Sequence, residues 1–78
     1  MAKVTEYFQE EILRKRAYLS VEICQKVVEN PLKKEIQPDG RVRFWAKVEE
    51  LGGKYLRVVT LEDEVTIHNA FIDREFKL

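Results

Sequence analysis

The segment from Arg41 to Phe71 constrains the fold most, because it contains three runs in which apolar and polar residues alternate with a period of two. Alternation of this kind is typical of β-strands that bury one face and expose the other. Turn-forming residues separate the runs near residues 51–53 and 62–63. We therefore predict an antiparallel meander of three strands, over residues 41–49, 54–61 and 64–72.

The parity of the strands predicts their registers, because directly opposed residues of antiparallel strands lie on the same face. A three-residue loop at residues 51–53 pairs Val48 with Leu56, and a two-residue turn at residues 62–63 pairs Arg57 with His68. These registers predict a core face made of Val42, Phe44, Ala46, Val48, Leu56, Val58, Val65, Ile67 and Phe71. The opposite face then carries Arg41, Arg43, Trp45, Lys47, Arg57, Val59, Thr66, His68 and Ala70.

Two short helices are predicted before the meander. Residues 9–16 are strong helix formers, and a second helix over residues 20–30 begins at the N-cap Ser20 and ends before Pro31. Residues 1–8 fit either a short strand, which we favour, or a first helical turn capped by Thr5, and residues 32–37 fit an extended connector. The expected fold is one α+β domain of residues 1–78, with two N-terminal helices packed on one face of a small antiparallel β-meander.

The charge balance argues against nucleic-acid binding through bulk charge. The 78 residues include 14 Lys and Arg against 14 Asp and Glu, and the isoelectric point is near 6.6. A phosphate site would therefore need a local concentration of positive charge. Residues 41–60 provide one, with five basic and two acidic side chains.

Cysteine usage and hydropathy indicate the cellular compartment in which the chain functions. Cys24 has no second thiol with which to form an internal disulfide, and its place in the apolar stripe of the second helix favours a small core residue over a nucleophile. This usage favours a reducing, cytoplasmic setting. No apolar run reaches the ~18 residues that a membrane span requires, so we expect no membrane association.

The face opposite the predicted core favours contact with phosphate or RNA. Guanidinium groups bind phosphate through paired hydrogen bonds, an indole ring can stack on a base, and a histidine titrates near neutral pH. This face offers all three in Arg41, Arg43, Trp45, Lys47, Arg57 and His68. The alternative interpretation is a solvated face whose cations pair with the carboxylates of Glu49, Glu62 and Asp73.

Several short motifs carry a family resemblance. They are Arg14-Lys15-Arg16, Ser20 with Glu29-Asn30-Pro31, Asp39-Gly40-Arg41, Gly53-Lys54-Tyr55-Leu56-Arg57-Val58-Val59 and His68-Asn69-Ala70-Phe71-Ile72-Asp73-Arg74. Together they resemble a family of small uncharacterised domains that is grouped with the BrnT and RelE/ParE-type toxins of bacterial toxin–antitoxin systems. The resemblance implies a RelE-like β-α-α-β-β-β domain in which helices pack on one face of an antiparallel sheet.

By this resemblance the chain is expected to be the toxin of a type II toxin–antitoxin system, an endoribonuclease that cleaves mRNA through attack of the ribose 2′-hydroxyl, with no metal or other cofactor. Arg41 and Arg57 match the arginines that would neutralise the scissile phosphate, and Arg74 matches an RNA-binding arginine near the C-terminal strand. His68 stands where a general acid or base could act. The implied partners are an antitoxin protein and RNA or the ribosome.

Two other classes of function stay open. One is a noncatalytic binding or regulatory module that uses the same basic face and leaves His68 in a structural role. The other is a homo-oligomerisation domain, such as a homodimer, in which a symmetry mate covers Trp45 and Val59. A ribonuclease requires Arg41, Arg57 and His68 to lie within reach of one phosphate, which distinguishes it from both.

Overall fold

The computed structural model describes residues 3–77 and is organised around a five-stranded mixed sheet. Its strands are β1 (Lys3–Val4), β2 (Lys33–Ile36), β3 (Val42–Val48), β4 (Lys54–Thr60) and β5 (Thr66–Ile72), in the spatial order β1-β5-β4-β3-β2. β1 runs parallel to β5, and the other neighbours are antiparallel. The predicted α+β class and the central meander β3-β4-β5 are confirmed.

The N-terminal segment combines both structures that its sequence allowed. β1 supplies the favoured strand and pairs Val4 with Ile67, while residues 1–2 lie outside the described part. Thr5 then caps a helical segment over residues 6–15, since its hydroxyl accepts from the Phe8 N–H at 3.1 Å and its carbonyl accepts from the Gln9 N–H at 3.1 Å. This segment contains a π-helical turn at Phe8–Ile12, followed by α1 at Leu13–Lys15.

The second helix, α2, spans Val21–Glu29, close to the prediction. Ser20 has extended backbone angles, and its hydroxyl accepts from the Ile23 N–H at 3.2 Å, as expected of an N-cap. The helix ends at Asn30, directly before Pro31, which restricts the preceding residue to non-helical conformations. Local capping chemistry therefore sets both ends of α2.

The predicted connector at residues 32–37 contains the edge strand β2. It pairs with β3 from Lys33 opposite Trp45 to Ile36 opposite Val42. A tight turn holds the two strands together, with the Gln37 N–H donating to the Arg41 carbonyl at 2.7 Å. All four residues of β2 are exposed and three are charged, so no apolar alternation marked the strand.

The loop between β3 and β4 is longer than predicted. Val48 pairs with Lys54 rather than with Leu56, so the predicted register is wrong by two residues. A 3₁₀ turn at Glu49–Leu51 leads into Gly52 at φ 71° and a second glycine at φ 77°, a conformation that favours glycine. Because a two-residue shift preserves parity, the faces of β3 and β4 are as predicted.

The register between β4 and β5 differs from the predicted one by an odd number of residues. Arg57 pairs with Phe71, not with His68, which is a shift of three residues. The ladder is also irregular, since the partners of Val59 and Thr60 are two residues apart on β5 and leave His68 between them. This β-bulge changes which side chains of β5 face the core.

Three predicted positions on β5 and its preceding turn are therefore wrong. Ala70, expected on the opposite face, is fully buried in the core. Phe71, expected in the core, pairs with Arg57 and packs its ring against the guanidinium. Val65, also expected in the core, is 45% exposed.

The turn before β5 explains the shift. The Asp63 carboxylate accepts hydrogen bonds from the N–H groups of Val65 and Thr66, at 2.9 and 2.8 Å. The Leu61 N–H donates to the Thr66 carbonyl, and Glu64 adopts φ 60°. These bonds close a longer loop than a two-residue turn and move β5 along β4.

The hydrophobic core combines residues of the helical segments and of the sheet in one cluster. Its members are Phe8, Ile12, Leu19, Cys24, Val27, Val42, Phe44, Ala46, Val48, Leu56, Val58, Ile67 and Ala70. Burial raises the pKa of the Cys24 thiol to about 12, so it stays protonated and inert near neutral pH. The interpretation of Cys24 as a core residue is confirmed.

Truncation of Phe44 to Ala is expected to lower the free energy of unfolding by about 3–5 kcal/mol, because Phe44 is 3% exposed in the core. That is a large share of the ~5–15 kcal/mol typical of small domains. Urea denaturation followed by circular dichroism measures the change. Val65→Ala serves as the control and should shift stability by less than about 0.5 kcal/mol; the opposite order of the two effects would contradict the structure.

Candidate phosphate-binding pocket

A pocket of about 320 Å³ opens on the sheet face opposite the core, and we call it the arginine pocket. It is lined by Tyr7, Gln37, Arg41, Arg43, Arg57, Val59, His68, Asn69 and Phe71. The prediction that Arg41, Arg57 and His68 lie together is confirmed. Three guanidinium groups and an imidazole in one concavity form an arrangement that can bind a phosphate.

Strand pairing explains how the arginines come together. Arg43 on β3 opposes Val59 on β4, and Arg57, two residues before Val59, lies on the same face. Arg41 precedes β3 by one residue. Because Ala70 is buried in the core, regular alternation would turn His68 toward the core as well, and the bulge in β5 lets His68 line the pocket instead.

Arg57 is the most constrained of the three arginines. Its Nη2 and Nε lie 2.9 and 3.2 Å from Oδ2 of Asp73. The guanidinium carbon is 4.7 Å from the centroid of the Phe71 ring and 5.4 Å from that of Trp45. With its side chain 25% exposed, Arg57 is a positioned cation and not the freely exposed arginine that the alternation indicated.

Asp73 connects the pocket to the C-terminal segment. Besides Arg57, its Oδ2 accepts a hydrogen bond from Trp45 Nε1 at 3.0 Å, and its Oδ1 accepts from the Glu75 N–H at 3.1 Å. The Trp45 hydrogen bond, and then those of Arg57, lower the pKa of Asp73 below its ordinary value, although partial burial opposes the shift. Asp73 is therefore ionised at neutral pH and compensates the charge of Arg57.

The other two arginines pair with more exposed carboxylates. Arg43 Nη1 is 2.9 Å from Oε1 of Glu35, and Arg41 Nε is 3.9 Å from Oδ2 of Asp39. Exposed pairs of this kind contribute about 0–1 kcal/mol, so a phosphate can compete for these guanidinium groups at little cost. The interpretation that cations of this face pair with carboxylates is confirmed for Arg57 with Asp73. Lys47 forms only a long, exposed pair, with Nζ 4.0 Å from Oε1 of Glu49.

His68 is held by the N-terminal helix cap. Its Nδ1 is 3.0 Å from the Thr5 hydroxyl, and its ring centroid is 5.1 Å from that of Tyr7. Burial lowers the pKa of His68, and the positive charge of Arg41 lowers it further. The imidazole is therefore neutral at pH 7, and within residues 3–77 its Nε2 has no hydrogen-bond partner.

Trp45 is covered by the chain itself. It is 5% exposed, and the Phe76 ring stacks on it at a centroid distance of 5.4 Å. The expectation that Trp45 offers an open surface to a base is therefore wrong for this conformation. Val59 is also buried, at 8% exposure, so neither residue needs a symmetry mate to cover it.

The remaining predicted RNA contacts lie outside the arginine pocket. Lys47 is exposed beside a groove between α2 and β3. Arg74 lines a separate pocket of about 460 Å³, which we call the C-terminal pocket. Its lining residues are Lys54, Tyr55, Ile72, Asp73, Arg74 and Phe76.

Three residues of the site were missed by sequence analysis. They are Tyr7, Gln37 and Asn69, which line the arginine pocket. Tyr7 reaches the pocket because β1 pairs with β5, a contact between the two ends of the chain that no local pattern reveals. Asp73, one of the three carboxylates that the sequence offered as partners of the cations, lies one residue beyond β5 and orients Arg57.

Residues 3–77 contain no group of three or more His, Cys, Asp and Glu side chains that could hold a metal ion. In the same range no helix is long and apolar enough to cross a membrane. No family model, curated protein or solved structure matches this chain. The site must therefore be interpreted from its own geometry.

Replacing Asp73 with Ala should lower the free energy of unfolding by about 1–3 kcal/mol, because Trp45 Nε1 loses its acceptor and Arg57 loses its carboxylate. Since the folded-state pKa of Asp73 is lowered, its contribution is present above the ordinary aspartate pKa and is lost as the pH falls below about 4. Urea denaturation at several pH values measures both effects. The control Glu75→Ala should change stability little, and a gap between wild type and Asp73→Ala that does not narrow in acid would refute this role.

Proposed function

We propose that the chain binds the phosphate backbone of single-stranded RNA in the arginine pocket and acts as a metal-independent endoribonuclease. The observation that carries the proposal is the shared lining of one pocket by Arg41, Arg43, Arg57 and His68. The arginines supply positive charge where a phosphate would sit, and the neutral imidazole supplies a base. The acidic partners of Arg41 and Arg43 are exposed and exchangeable.

The proposed reaction needs no group beyond the chain and its substrate. In the tautomer in which His68 Nδ1–H donates to the Thr5 hydroxyl, Nε2 takes the proton of a ribose 2′-hydroxyl, and the 2′-oxygen then attacks the adjacent phosphorus. The P–O5′ bond breaks, leaving a 2′,3′-cyclic phosphate on one product. We assign protonation of the departing 5′-oxygen to the phenol of Tyr7, which lines the same pocket. Arg57, held by Asp73, stabilises the charge that grows on the non-bridging oxygens.

The family resemblance supports a place in a toxin–antitoxin system. The chain order of helices followed by an antiparallel meander agrees with a RelE-like arrangement, with β2 as an added edge strand. In this proposal the substrate is mRNA, free or on the ribosome, in the cytoplasm. An antitoxin protein inhibits the toxin, and Arg74 adds an RNA contact outside the arginine pocket.

A noncatalytic RNA-binding module is the second candidate. This candidate is favoured because His68 and Arg57 both have hydrogen-bond partners within the fold. His68 contacts the Thr5 hydroxyl, and Arg57 donates to Asp73. In this alternative the pocket retains phosphate affinity, but His68 serves only to fix the N-terminal helix against β5. Binding of RNA by the wild-type chain without cleavage would select this alternative.

Cleavage of single-stranded RNA should persist in the presence of a metal chelator. His68→Ala should reduce the rate by about 10²- to 10⁴-fold, because the general base is lost. Arg41→Gln should weaken RNA binding, and more strongly at low salt. Gel analysis of labelled RNA measures the rate, with circular dichroism to verify folding.

Lys15→Gln, on the exposed end of α1, is the matched charge control and should cleave like wild type. The variants should rank in the same way by their effect on cell growth. Expression of the wild-type chain should slow growth, and His68→Ala should relieve the effect. Undiminished cleavage by His68→Ala would remove His68 from the mechanism. Failure of the wild type to bind RNA at low salt would refute the pocket as an RNA site.

The pH dependence of cleavage should reflect the lowered pKa of His68. Because a general base must be unprotonated, the rate falls in acid as the pH drops through the pKa of His68, which lies below the ordinary value of 6.5. Arg41→Gln removes a nearby positive charge and should move this acid limb toward higher pH. Measurement of the cleavage rate across pH for both proteins tests the direction of this shift. An acid limb that moves toward lower pH in Arg41→Gln would contradict the prediction.

A further inference from the structure

The C-terminal pocket contains two positive charges that form no ion pair within residues 3–77. Lys54 and Arg74 both line it and are exposed. Across the described residues, neither side chain forms an ion pair or a side-chain hydrogen bond, whereas each arginine of the arginine pocket has a carboxylate partner. The pocket therefore favours an anionic ligand.

Asp73 is the one carboxylate among the described residues that lines this pocket, and it does not oppose such a ligand. Oδ2 of Asp73 accepts from both Trp45 and Arg57, and its Oδ1 accepts from the Glu75 N–H. Its negative charge is therefore compensated by the guanidinium of Arg57. A phosphate near those two cations meets little repulsion.

The pocket also contains aromatic surface. The rings of Tyr55 and Phe76 meet at a centroid distance of 5.0 Å and an angle of 53°, and both residues are partly exposed. Ile72 adds an apolar side chain to the lining. Aromatic rings beside cations form the combination that binds a nucleotide, because the base stacks while the phosphate is neutralised.

Strand geometry places this pocket one step from the arginine pocket. Tyr55 and Arg57 are two residues apart on β4 and point to the same face, which is a separation of about 6.6 Å. A two-residue step of this length is comparable to one repeat of an extended nucleic-acid strand. A single strand lying along β4 would therefore present consecutive nucleotides to the two pockets.

We propose that the C-terminal pocket binds the nucleotide adjacent to the phosphate in the arginine pocket, with its base against Tyr55 and Phe76 and its phosphate near Lys54 and Arg74. This inference rests on the proposed RNA-binding function and extends it to a two-site path along β4. The ligand class is a single-stranded oligonucleotide, and a mononucleotide fills only one of the two sites.

The test compares ligands of different length by calorimetry at low salt. The probes are inorganic phosphate, a tetraadenylate with blocked ribose 2′-hydroxyls, and the same oligomer without bases. The double variant Lys54→Gln, Arg74→Gln should bind the tetraadenylate about 10-fold more weakly, with a salt slope smaller by about 0.7, and should still bind phosphate in the arginine pocket. The double variant Arg14→Gln, Lys15→Gln removes equal charge elsewhere and should bind both ligands like wild type.

The outcomes separate this inference from the proposed function. Equal binding of the tetraadenylate by wild type and Lys54→Gln, Arg74→Gln would overturn the C-terminal pocket alone, provided that phosphate still binds. Equal affinity of wild type for the oligomers with and without bases would overturn the stacking site. Binding of neither phosphate nor tetraadenylate by the wild type would overturn the arginine pocket and this inference together.

Discussion

The carboxylate of Asp73 is the contact on which the face opposite the core depends. It joins a strand side chain, an indole and the C-terminal backbone, because it accepts from Arg57, Trp45 and Glu75. With Asp73 in place, the guanidinium of Arg57 is fixed between two aromatic rings, and Phe76 can cover Trp45. A small domain thus buries a tryptophan on its second face and keeps an arginine oriented toward a pocket.

The bulge in β5 is the second constraint on the structure, because it determines which side chains of β5 face the core and which face the pocket. A regular strand would place His68 and Ala70 on the same face. With one extra residue, Ile67 and Ala70 are both fully buried, while His68 contacts Thr5 and lines the pocket. The N-terminal helix cap and the pocket therefore share one histidine, which couples helix placement to the chemistry of the site.

Sequence patterns predicted the elements better than their registers. The strands of the meander and the helix after Ser20 followed from alternation and capping, whereas the charged strand β2 had no apolar face to detect. The pairing of Arg57 with His68 was wrong, because the Asp63 turn shifts β5; the two residues still share a pocket, since the bulge turns His68 toward it. Side chains supplied by distant contacts, such as Tyr7, lay beyond any local pattern.

The most direct test of the central claim is a titration of the protein, labelled with ¹⁵N, with single-stranded RNA that has blocked 2′-hydroxyls. Side-chain signals of Arg41, Arg43 and Arg57 and the Nε2 signal of His68 should shift together, with one common affinity. The signal of Arg14, which lies outside the pocket, should stay in place. Movement of Arg14 with no change at the four pocket residues would contradict the assignment of this pocket as the RNA site.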